Sequence, residues 1–290
     1  MVQKATPDLL RWVDDQLGRG CNPVEMIEAM VTVGHARSFA EGVMADASGK
    51  RYGSGGSGGS TAEPSDDRVS DVPEPLPAPL ASGASSVVVD GHRVEILVNL
   101  HHPRIVVFGN LLTTHECAAL IDASRPKLER SETVHRASGG TELNEARTSE
   151  GTYFFHDASP LLETINRRFA QVTRWPLSNG EPLQILHYGV GAEYQPHYDY
   201  FSPEDAGTAT LLTHGGQRVA TLITYLNTPE AGGATVFPDV GLEVAPIRGN
   251  AVFFAYEQAS PVSRTLHGGT PVVAGEKWIA TRWMRENAYT

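Results

Sequence analysis

The amino-acid sequence predicts a mainly β protein with flanking helices, built on a double-stranded β-helix (jelly roll) core and preceded by a small helical module. Two alternating apolar segments, Val87 to Val98 and Ile105 to Phe108, read as strands, and helical patterns lie near Thr113 to Leu128 and Pro160 to Val172. Many short β segments follow, separated by turn residues, and their number and spacing are typical of two sheets packed face to face. The predicted core strands are residues 183–188, 194–201, 219–226, 234–237, 242–244, 251–256, 263–273 and 277–284.

Composition divides the 290 residues into three predicted parts. Residues 1–46 form the helical module, in which Pro7 stands at a first helical position and Asn22-Pro23 begins a second helix. Residues 47–86 are rich in Gly, Ser and Pro and predict a flexible linker. Residues 87–290 form the jelly-roll domain. The apolar face of the module is expected to carry Leu9, Leu10, Val13 and Leu17 on the first helix and Val24, Ile27 and Met30 on the second.

Charge and cysteine content limit the possible partners and compartment. The net charge of −11 comes without clustered Lys and Arg, which disfavours binding to a nucleic-acid backbone. No apolar run reaches the ~20 residues of a membrane span, and no export signal is recognised. Cys21 and Cys117 fall in different predicted parts, so a disulfide framework is not expected. We therefore expect a cytoplasmic protein without a membrane or nucleic-acid partner.

His197, Asp199 and His267 are candidate metal ligands. Two imidazoles and one carboxylate can hold non-haem Fe(II) on one side and leave positions open for an organic acid and O₂. Residues two apart in a strand point to the same face, so His197 and Asp199 can reach one metal. A His-x-Asp pair alone more often marks a surface loop or a core histidine. The metal interpretation depends on its combination with His267 and Lys277 in β segments that are punctuated by glycine.

Lys277 is the candidate anchor for a second ligand of the metal. Val272 to Val273 and Trp278 to Trp283 are predicted strands that flank a turn at residues 274–276. This turn brings Lys277 back beside the strand that carries His267. A five-carbon dicarboxylate such as 2-oxoglutarate fits this arrangement, since one end chelates iron while the distal carboxylate pairs with the ammonium group.

These residues lie in four segments that occur in a fixed order: Leu183 to Phe201, Gly232 to Pro238, Arg264 to Gly269, and Gly275 to Trp283. The segments resemble the catalytic domain of procollagen-type prolyl 4-hydroxylases, including plant, algal and bacterial relatives, over roughly residues 87–286. The resemblance implies a dioxygenase that uses Fe(II), 2-oxoglutarate and O₂, with ascorbate as reductant. It also implies a jelly-roll fold and a peptide or protein substrate that contains proline.

The resemblance implies roles for further residues. Tyr188 and Thr235 match positions that hydrogen-bond the distal carboxylate of 2-oxoglutarate, although a strand tyrosine is more often a core residue. Aromatic and arginine side chains suit the binding of a proline-rich peptide in polyproline II form, because its proline rings stack on aromatic rings and its backbone carbonyls accept hydrogen bonds. Glu181 and Arg218 have a competing explanation as a surface ion pair. The positions that match the peptide groove of the family are Arg147, Ser149, Glu181, Tyr194, Arg218 and Trp283.

One position departs from the family pattern. Trp283-Met284-Arg285 places an arginine where the family commonly has Trp-x-His. The departure concerns contact with the substrate and leaves the iron chemistry unaffected. Asp199 favours hydroxylation over halogenation, because halogenating relatives replace this carboxylate with a small residue.

Three functions therefore remain open at the level of sequence. The first is 4-hydroxylation of prolyl residues in peptides, with release of succinate and CO₂. The second is oxygenation of a free amino acid or another small molecule on the same scaffold. The third is a binding protein that acts through the helical module, whose partner is unknown. The intact ligand set and Lys277 disfavour the third, and Arg147, Tyr194 and Trp283 favour the first.

Overall fold

The protein is described here by a computed structural model, which covers residues 83–131, 140 and 148–289 and the backbone of 133–134 and 141–142. The chain separates into two compact units, Met1–Ser70 and Asp71–Thr290. Arg147 and the predicted linker up to residue 82 lie outside the described residues, and the three-part boundaries stay a prediction. No helix in the covered segments is long and apolar enough to cross a membrane. Within the first unit the described residues are Leu10, Val13, Met26, Ile27, Met30, Val31, Ala36, Arg37, Phe39, Ala40, Val43 and Met44.

The first unit has its own apolar core, and its described residues are helical except Ala36. Val13 and Met30 are buried, as the helical pattern predicts. The prediction for Leu10 was wrong, because its side chain is 38% exposed. Successive helical residues point about 100° apart, so adjacent leucines cannot both face the centre of one core. The buried residues of this core are Val13, Met26, Met30, Ala40, Val43 and Met44.

The second unit contains the predicted β segments and both predicted helices. Its described helices are α1 (Thr114–Ser124), α2 (Pro160–Thr173) and the short α3 (Thr208–Leu212). Its described strands are β1 (Ser86–Val89), β2 (His92–Leu100), β3 (Arg104–Gly109), β4 (Glu129–Arg130), β5 (Thr133–Val134), β6 (Thr141–Glu142), β7 (Glu150–Phe154), β8 (Leu183–Tyr188), β9 (Tyr194–His197), β10 (Arg218–Tyr225), β11 (Ala231–Gly232), β12 (Thr235–Phe237), β13 (Leu242–Val244), β14 (Ala251–Ala255), β15 (His267–Gly269), β16 (Val272–Ala274) and β17 (Lys277–Arg285).

Two antiparallel sheets form the body of this unit. The large sheet has the order β1-β2-β3-β14-β10-β17-β8-β7-β4, and the small sheet has the order β13-β12-β15-β9. One apolar core contains residues of both sheets, including Ile223 and Phe254 from the large sheet and Phe237 from the small sheet. This is the predicted jelly roll, and the fold class is confirmed. The predicted strand 263–273 is interrupted, since its start is a 3₁₀ turn at Pro261–Ser263 and a break separates β15 from β16.

The central strands of the large sheet are covered on both faces, and the alternation of their side chains assigns each residue to one side. In β3, Ile105 and Val107 point between the sheets, whereas Val106 and Phe108 belong to a second core with α1 and α2. The helices therefore support the sheet from behind and leave its other face to the cavity described below.

A buried ion pair joins the two helices. Thr113 caps α1, and the Glu116 carboxylate accepts a 2.8 Å hydrogen bond from the Thr113 backbone N–H, which completes a capping box. Arg168 of α2 donates two hydrogen bonds to the Glu116 carboxylate, at 2.8 and 2.9 Å, and a third to the carbonyl of Leu111. Burial opposes ionisation of Glu116, but these donors outweigh it and hold its pKa below the ordinary 4.5.

We expect Glu116→Gln to lower the free energy of unfolding by about 3 kcal/mol at neutral pH, because it leaves the buried Arg168 without its counter-charge. The pKa of Glu116 is lowered in the folded state, so this contribution is complete above 4.5 and is lost as the pH falls further. Urea unfolding at several pH values measures the difference, with Glu163→Gln on the exposed face of α2 as control. A difference that stays constant down to pH 3 would contradict this account.

Candidate active site

A cavity lies between the two sheets. One wall comes from alternate residues of β17, and the opposite wall comes from β9 and β15 of the small sheet. Gly268 is needed in the second wall, since a Cβ there would lie only 3.0 Å from the carbonyl oxygen of Tyr194. The residues that line the cavity are Leu186, Tyr188, Tyr194, His197, Asp199, Ile223, Thr235, His267, Gly268, Gly269, Lys277, Ile279, Thr281 and Trp283.

His197, Asp199 and His267 converge on one wall of this cavity. Their ligand atoms all lie within 4.8 Å of one another, and each histidine Nε2 is 3.5 Å from an Asp199 carboxylate oxygen. His197 and His267 pair across β9 and β15. The predicted strand at 194–201 ends at His197, however, so Asp199 lies in the following bend. The alternation argument for His197 and Asp199 was therefore wrong in its geometry, although the two side chains do meet.

Backbone carbonyls set the orientation of both imidazoles. Nδ1 of His197 lies 2.8 Å from the carbonyl of Gln195, and Nδ1 of His267 lies 3.0 Å from that of Thr265. When each Nδ1–H donates to its carbonyl, the Nε2 lone pair points to Asp199. Burial lowers the pKa of His267 to about 4, which keeps this ring neutral at physiological pH.

Asp199 is a buried carboxylate with several supports. Its Oδ2 accepts a 2.7 Å hydrogen bond from Thr221, whose hydroxyl lies 3.0 Å from that of Tyr256. Burial opposes ionisation, but the two imidazoles and Arg218 outweigh it and hold the pKa of Asp199 below its ordinary value. Thr221 and Tyr256 were not predicted as site residues. Their sequence positions, 22 and 57 residues beyond Asp199, give no local signal for this contact.

Lys277 lies at the opposite end of the cavity from Trp283, six positions away on the same strand. Its side chain is buried beside the Tyr188 ring, and burial lowers its pKa to about 8. No carboxylate among the described residues forms an ion pair with it. Thr235 also lines this end, and its hydroxyl accepts a 2.8 Å hydrogen bond from Tyr225, which leaves its own proton for another acceptor.

The predicted groove residues are distributed unevenly. Tyr194 and Trp283 line the cavity, and Tyr194 stacks on the His197 ring at 3.6 Å between centroids. Ser149, Glu181 and Arg218 lie outside the lining, and Ser149 instead hydrogen-bonds Ser131 at 3.0 Å. Arg147 is outside the described residues. The substrate roles of these residues stay predictions.

Glu181 is buried and the Arg218 side chain is only 13% exposed, so their explanation as a surface ion pair was wrong. Arg218 donates to both Glu181 carboxylate oxygens, at 2.6 and 2.8 Å. Its guanidinium group lies 4.0 Å from the centroid of the Trp283 ring and 3.4 Å from the carbonyl oxygen of Asp199. The pair therefore supports Trp283 in the cavity wall and the bend that contains Asp199, which is called the metal-site bend below.

Comparison with known proteins gives a consistent result. Residues 183–285 match the 2OG-Fe(II) oxygenase superfamily. Prolyl 4-hydroxylase 5 of Arabidopsis thaliana is 38% identical over 208 residues, which cover 64% of this chain and 70% of that protein. Probable prolyl 4-hydroxylase 10 of the same plant is 36% identical with the same coverage. The chain belongs to the prolyl 4-hydroxylase family.

A solved structure is also similar. The viral collagen prolyl hydroxylase of Paramecium bursaria Chlorella virus-1, in complex with 2-oxoglutarate, is 31% identical to the chain. The match covers 62% of this chain and 95% of that one, with a TM-score of 0.46.

The family uses Fe(II), 2-oxoglutarate and O₂, and the donor set of this member fits them. Two Nε2 lone pairs and a carboxylate are typical ligands of non-haem Fe(II). A buried ammonium without a carboxylate partner in the described part fits the distal end of 2-oxoglutarate, because an unpaired buried charge is costly. The hydroxyl of Thr235 adds a donor at the same end.

Arg285 anchors a loop of this prolyl 4-hydroxylase family member by hydrogen bonds to its backbone. The loop, residues 201–217, joins the metal-site bend to β10, and the Gln217 amide closes its base by two 2.8 Å hydrogen bonds to the backbone of Phe201. Arg285 is buried and donates to Glu181 at 3.2 Å and to the carbonyl of Leu211 at 2.6 Å. It also donates to the carbonyl of His214. The arginine at the departing position therefore has a structural function in the loop.

We expect Arg285→Lys to loosen the 201–217 loop, because a single ammonium group cannot replace a planar fork that reaches three acceptors. Hydrogen exchange of the amides at 208–216 should accelerate about tenfold or more, since each lost charged hydrogen bond is worth about 1.5–3 kcal/mol. Exchange in β3 should stay unchanged. Arg264→Lys is the matched control, since Arg264 is an exposed arginine that donates to one carbonyl, that of Asp239. Equal exchange in the two variants would contradict a role in the loop.

Proposed function

We propose that this protein is a prolyl 4-hydroxylase that acts on prolyl residues in peptides or proteins and converts 2-oxoglutarate to succinate and CO₂. One observation carries the proposal. A single cavity combines a cluster of two histidines and an aspartate, a buried lysine at one end, and the ring of Trp283 at the other. The proteins similar to the chain are named prolyl 4-hydroxylases, which supports proline as the target.

We assign His197, Asp199 and His267 as the ligands of Fe(II). The hydrogen bonds from both Nδ1 atoms and from Thr221 hold the three donors in place before the metal arrives. Bound Fe(II) and 2-oxoglutarate supply the redox chemistry that transfers one atom of O₂ to a C–H bond. The protein supplies the positions of the reactants and excludes water from them.

We assign Lys277, Tyr188 and Thr235 to the distal carboxylate of 2-oxoglutarate. Lys277 supplies the counter-charge and Thr235 a neutral donor. The apolar side chains of Leu186, Ile223 and Ile279 line the remaining wall and keep the pair away from water, which strengthens it.

We assign the open end of the cavity to the substrate. Trp283 and Tyr194 present rings there, and Arg218 stacks behind Trp283 and limits its movement. Proline-rich segments dock on such aromatic walls. Ascorbate as reductant, the cytoplasmic location and an unidentified partner of the helical module stay predictions.

The proposed function is tested by turnover on peptides. The purified protein is incubated with Fe(II), ascorbate, 2-oxoglutarate and a panel of proline-containing peptides, and fragment mass spectrometry locates any added oxygen. We expect hydroxylated proline in a peptide, with succinate in equal amount. Succinate formation that is stimulated only by free amino acids would replace the proposal with a small-molecule oxygenase.

We expect His197→Ala, Asp199→Ala and His267→Ala each to abolish turnover while the domain stays folded, because each removes one metal ligand from a supported wall. Anaerobic Fe(II) titration and circular dichroism measure binding and folding separately. The control is His115→Ala, an exposed histidine on α1. Normal Fe(II) affinity in all three variants would refute the ligand assignment.

We expect Lys277→Ala to raise the half-saturating concentration of 2-oxoglutarate at least about 100-fold, because it leaves a buried carboxylate unpaired at a cost of about 3–5 kcal/mol. Fe(II) affinity should remain. The pKa of about 8 adds a pH dependence: the ammonium is present below that value, so affinity for 2-oxoglutarate should fall as the pH rises above it. Lys277→Arg should weaken this pH dependence even if its longer head binds less well. Unchanged half-saturation in the alanine variant would show that 2-oxoglutarate lies elsewhere.

A further inference from the structure

The large sheet extends past the cavity on one side. In the described part of the chain the small sheet ends at β9, whereas the large sheet continues beyond β17 through β8 and β7. The inner face of β8 and β7 therefore continues the cavity wall without an opposing described strand.

The strand register defines one row of side chains on this face. Ile223 of β10 is opposite Thr281 of β17, Thr281 is opposite Gln184 of β8, and Gln184 is opposite Tyr153 of β7. Directly opposite residues point to the same face of a sheet. Ile223 and Thr281 line the cavity, so Gln184 and Tyr153 continue its wall outward. Two strand spacings of about 4.8 Å separate Thr281 from Tyr153, or about 10 Å in total.

Tyr153 is an exposed ring with a fixed position. The Gln184 amide is buried and donates a 2.5 Å hydrogen bond to the Tyr153 hydroxyl, while Tyr153 remains 56% exposed. Phe155, which directly follows β7, is 69% exposed, and Phe154 between the two rings packs in the helix-side core. An exposed aromatic wall next to a cavity is a typical contact surface for a ligand.

We propose that Tyr153 forms a subsite for the substrate residue three positions from the hydroxylated proline, on a peptide in polyproline II form. This inference rests on the proposed function. A polyproline II helix rises about 3.1 Å per residue with three residues per turn, so residues three apart lie about 9.3 Å apart on the same side. That spacing matches the distance of about 10 Å along the row. A target proline that enters the cavity beside Thr281 then places a second proline ring, three residues away, over Tyr153.

The test combines a peptide series with variants of Tyr153. Each peptide carries one central target proline and has proline or alanine three positions before it, after it, or at both places. The KM of each peptide is measured for the parent, Tyr153→Ala and Tyr153→Phe, with fragment mass spectrometry to locate the hydroxyl group. The control is Leu97→Ala, which removes a 52% exposed side chain from β2, near the opposite edge of the same sheet.

We expect alanine at one of the two positions to raise the KM of the parent about two- to tenfold, the value of one ring contact. Tyr153→Ala should raise the KM of the proline peptide by the same factor and leave the KM of the alanine peptide unchanged, because the two changes remove one contact. Tyr153→Phe should keep most of the affinity, and half-saturation by 2-oxoglutarate should not change.

Two results would overturn the subsite. One is a parent that does not distinguish proline from alanine at either position, a measurement that needs no variant. The other is an effect of Tyr153→Ala that is equal for all peptides. A parent that turns over 2-oxoglutarate but hydroxylates no peptide would instead overturn the proposed function, so the two failures are distinct.

Discussion

The site depends on the alternation of side chains along β17. This strand is buried over its whole length and lies between β10 and β8 in the large sheet. Every second residue points toward the small sheet, and this set supplies the buried ammonium of Lys277, the ring of Trp283 and the guanidinium group of Arg285. The intervening residues Trp278 and Met284 pack in the helix-side core. A shift of one residue would exchange the two sets, so the core that fixes the register also fixes the spacing of the chemical groups.

A chain of buried polar contacts joins the metal-site bend to the 201–217 loop. Arg218 contacts the carbonyl of Asp199, pairs with Glu181 and stacks on Trp283. Glu181 also accepts from Arg285, which reaches the carbonyls of the loop. Two arginines share one carboxylate here, so the removal of Glu181 would leave two buried cations without compensation. The loop and the bend are thereby held by the same charge, which explains why an arginine at position 285 is compatible with an intact site.

Local signals in the sequence predicted most of the elements and the meeting of His197, Asp199 and His267. Alternating apolar residues predicted β3, a short segment between turn residues predicted β8, helical patterns predicted α1 and α2, and the His-x-Asp motif with Lys277 led to the cavity. The failures concern properties set by distant residues. The burial of Glu181 and Arg218 depends on Trp283 and Arg285, about 65 to 104 residues away along the chain.

The ligand support shows the same limit. Thr221 lies opposite Trp283 in the sheet register, and its contact with Asp199 arises because the chain bends after His197 and leaves the strand. Alternation along β10 places Thr221 on the cavity side with Ile223, and the equally buried Thr224 on the helix side with Leu222, but it does not show which residue of the cavity side meets Asp199. Position in the sheet, rather than residue type, gives Thr221 its role.

The charges of the cavity link the binding of metal and cosubstrate. The folded protein holds a carboxylate at Asp199 and an ammonium group at Lys277, both buried, so the histidine-aspartate wall and the lysine end of the cavity carry opposite charges. With the proposed assignments, a divalent cation beside Asp199 and a dianion paired with Lys277 would add equal and opposite charge, and the net charge of the cavity would be unchanged. Either one alone would leave uncompensated charge in an apolar space, where electrostatic interactions are several times stronger than in water. Each ligand should therefore raise the affinity for the other by the same factor, as thermodynamic linkage requires. This coupling requires no conformational change, because the compensation follows from the charges of Asp199 and Lys277.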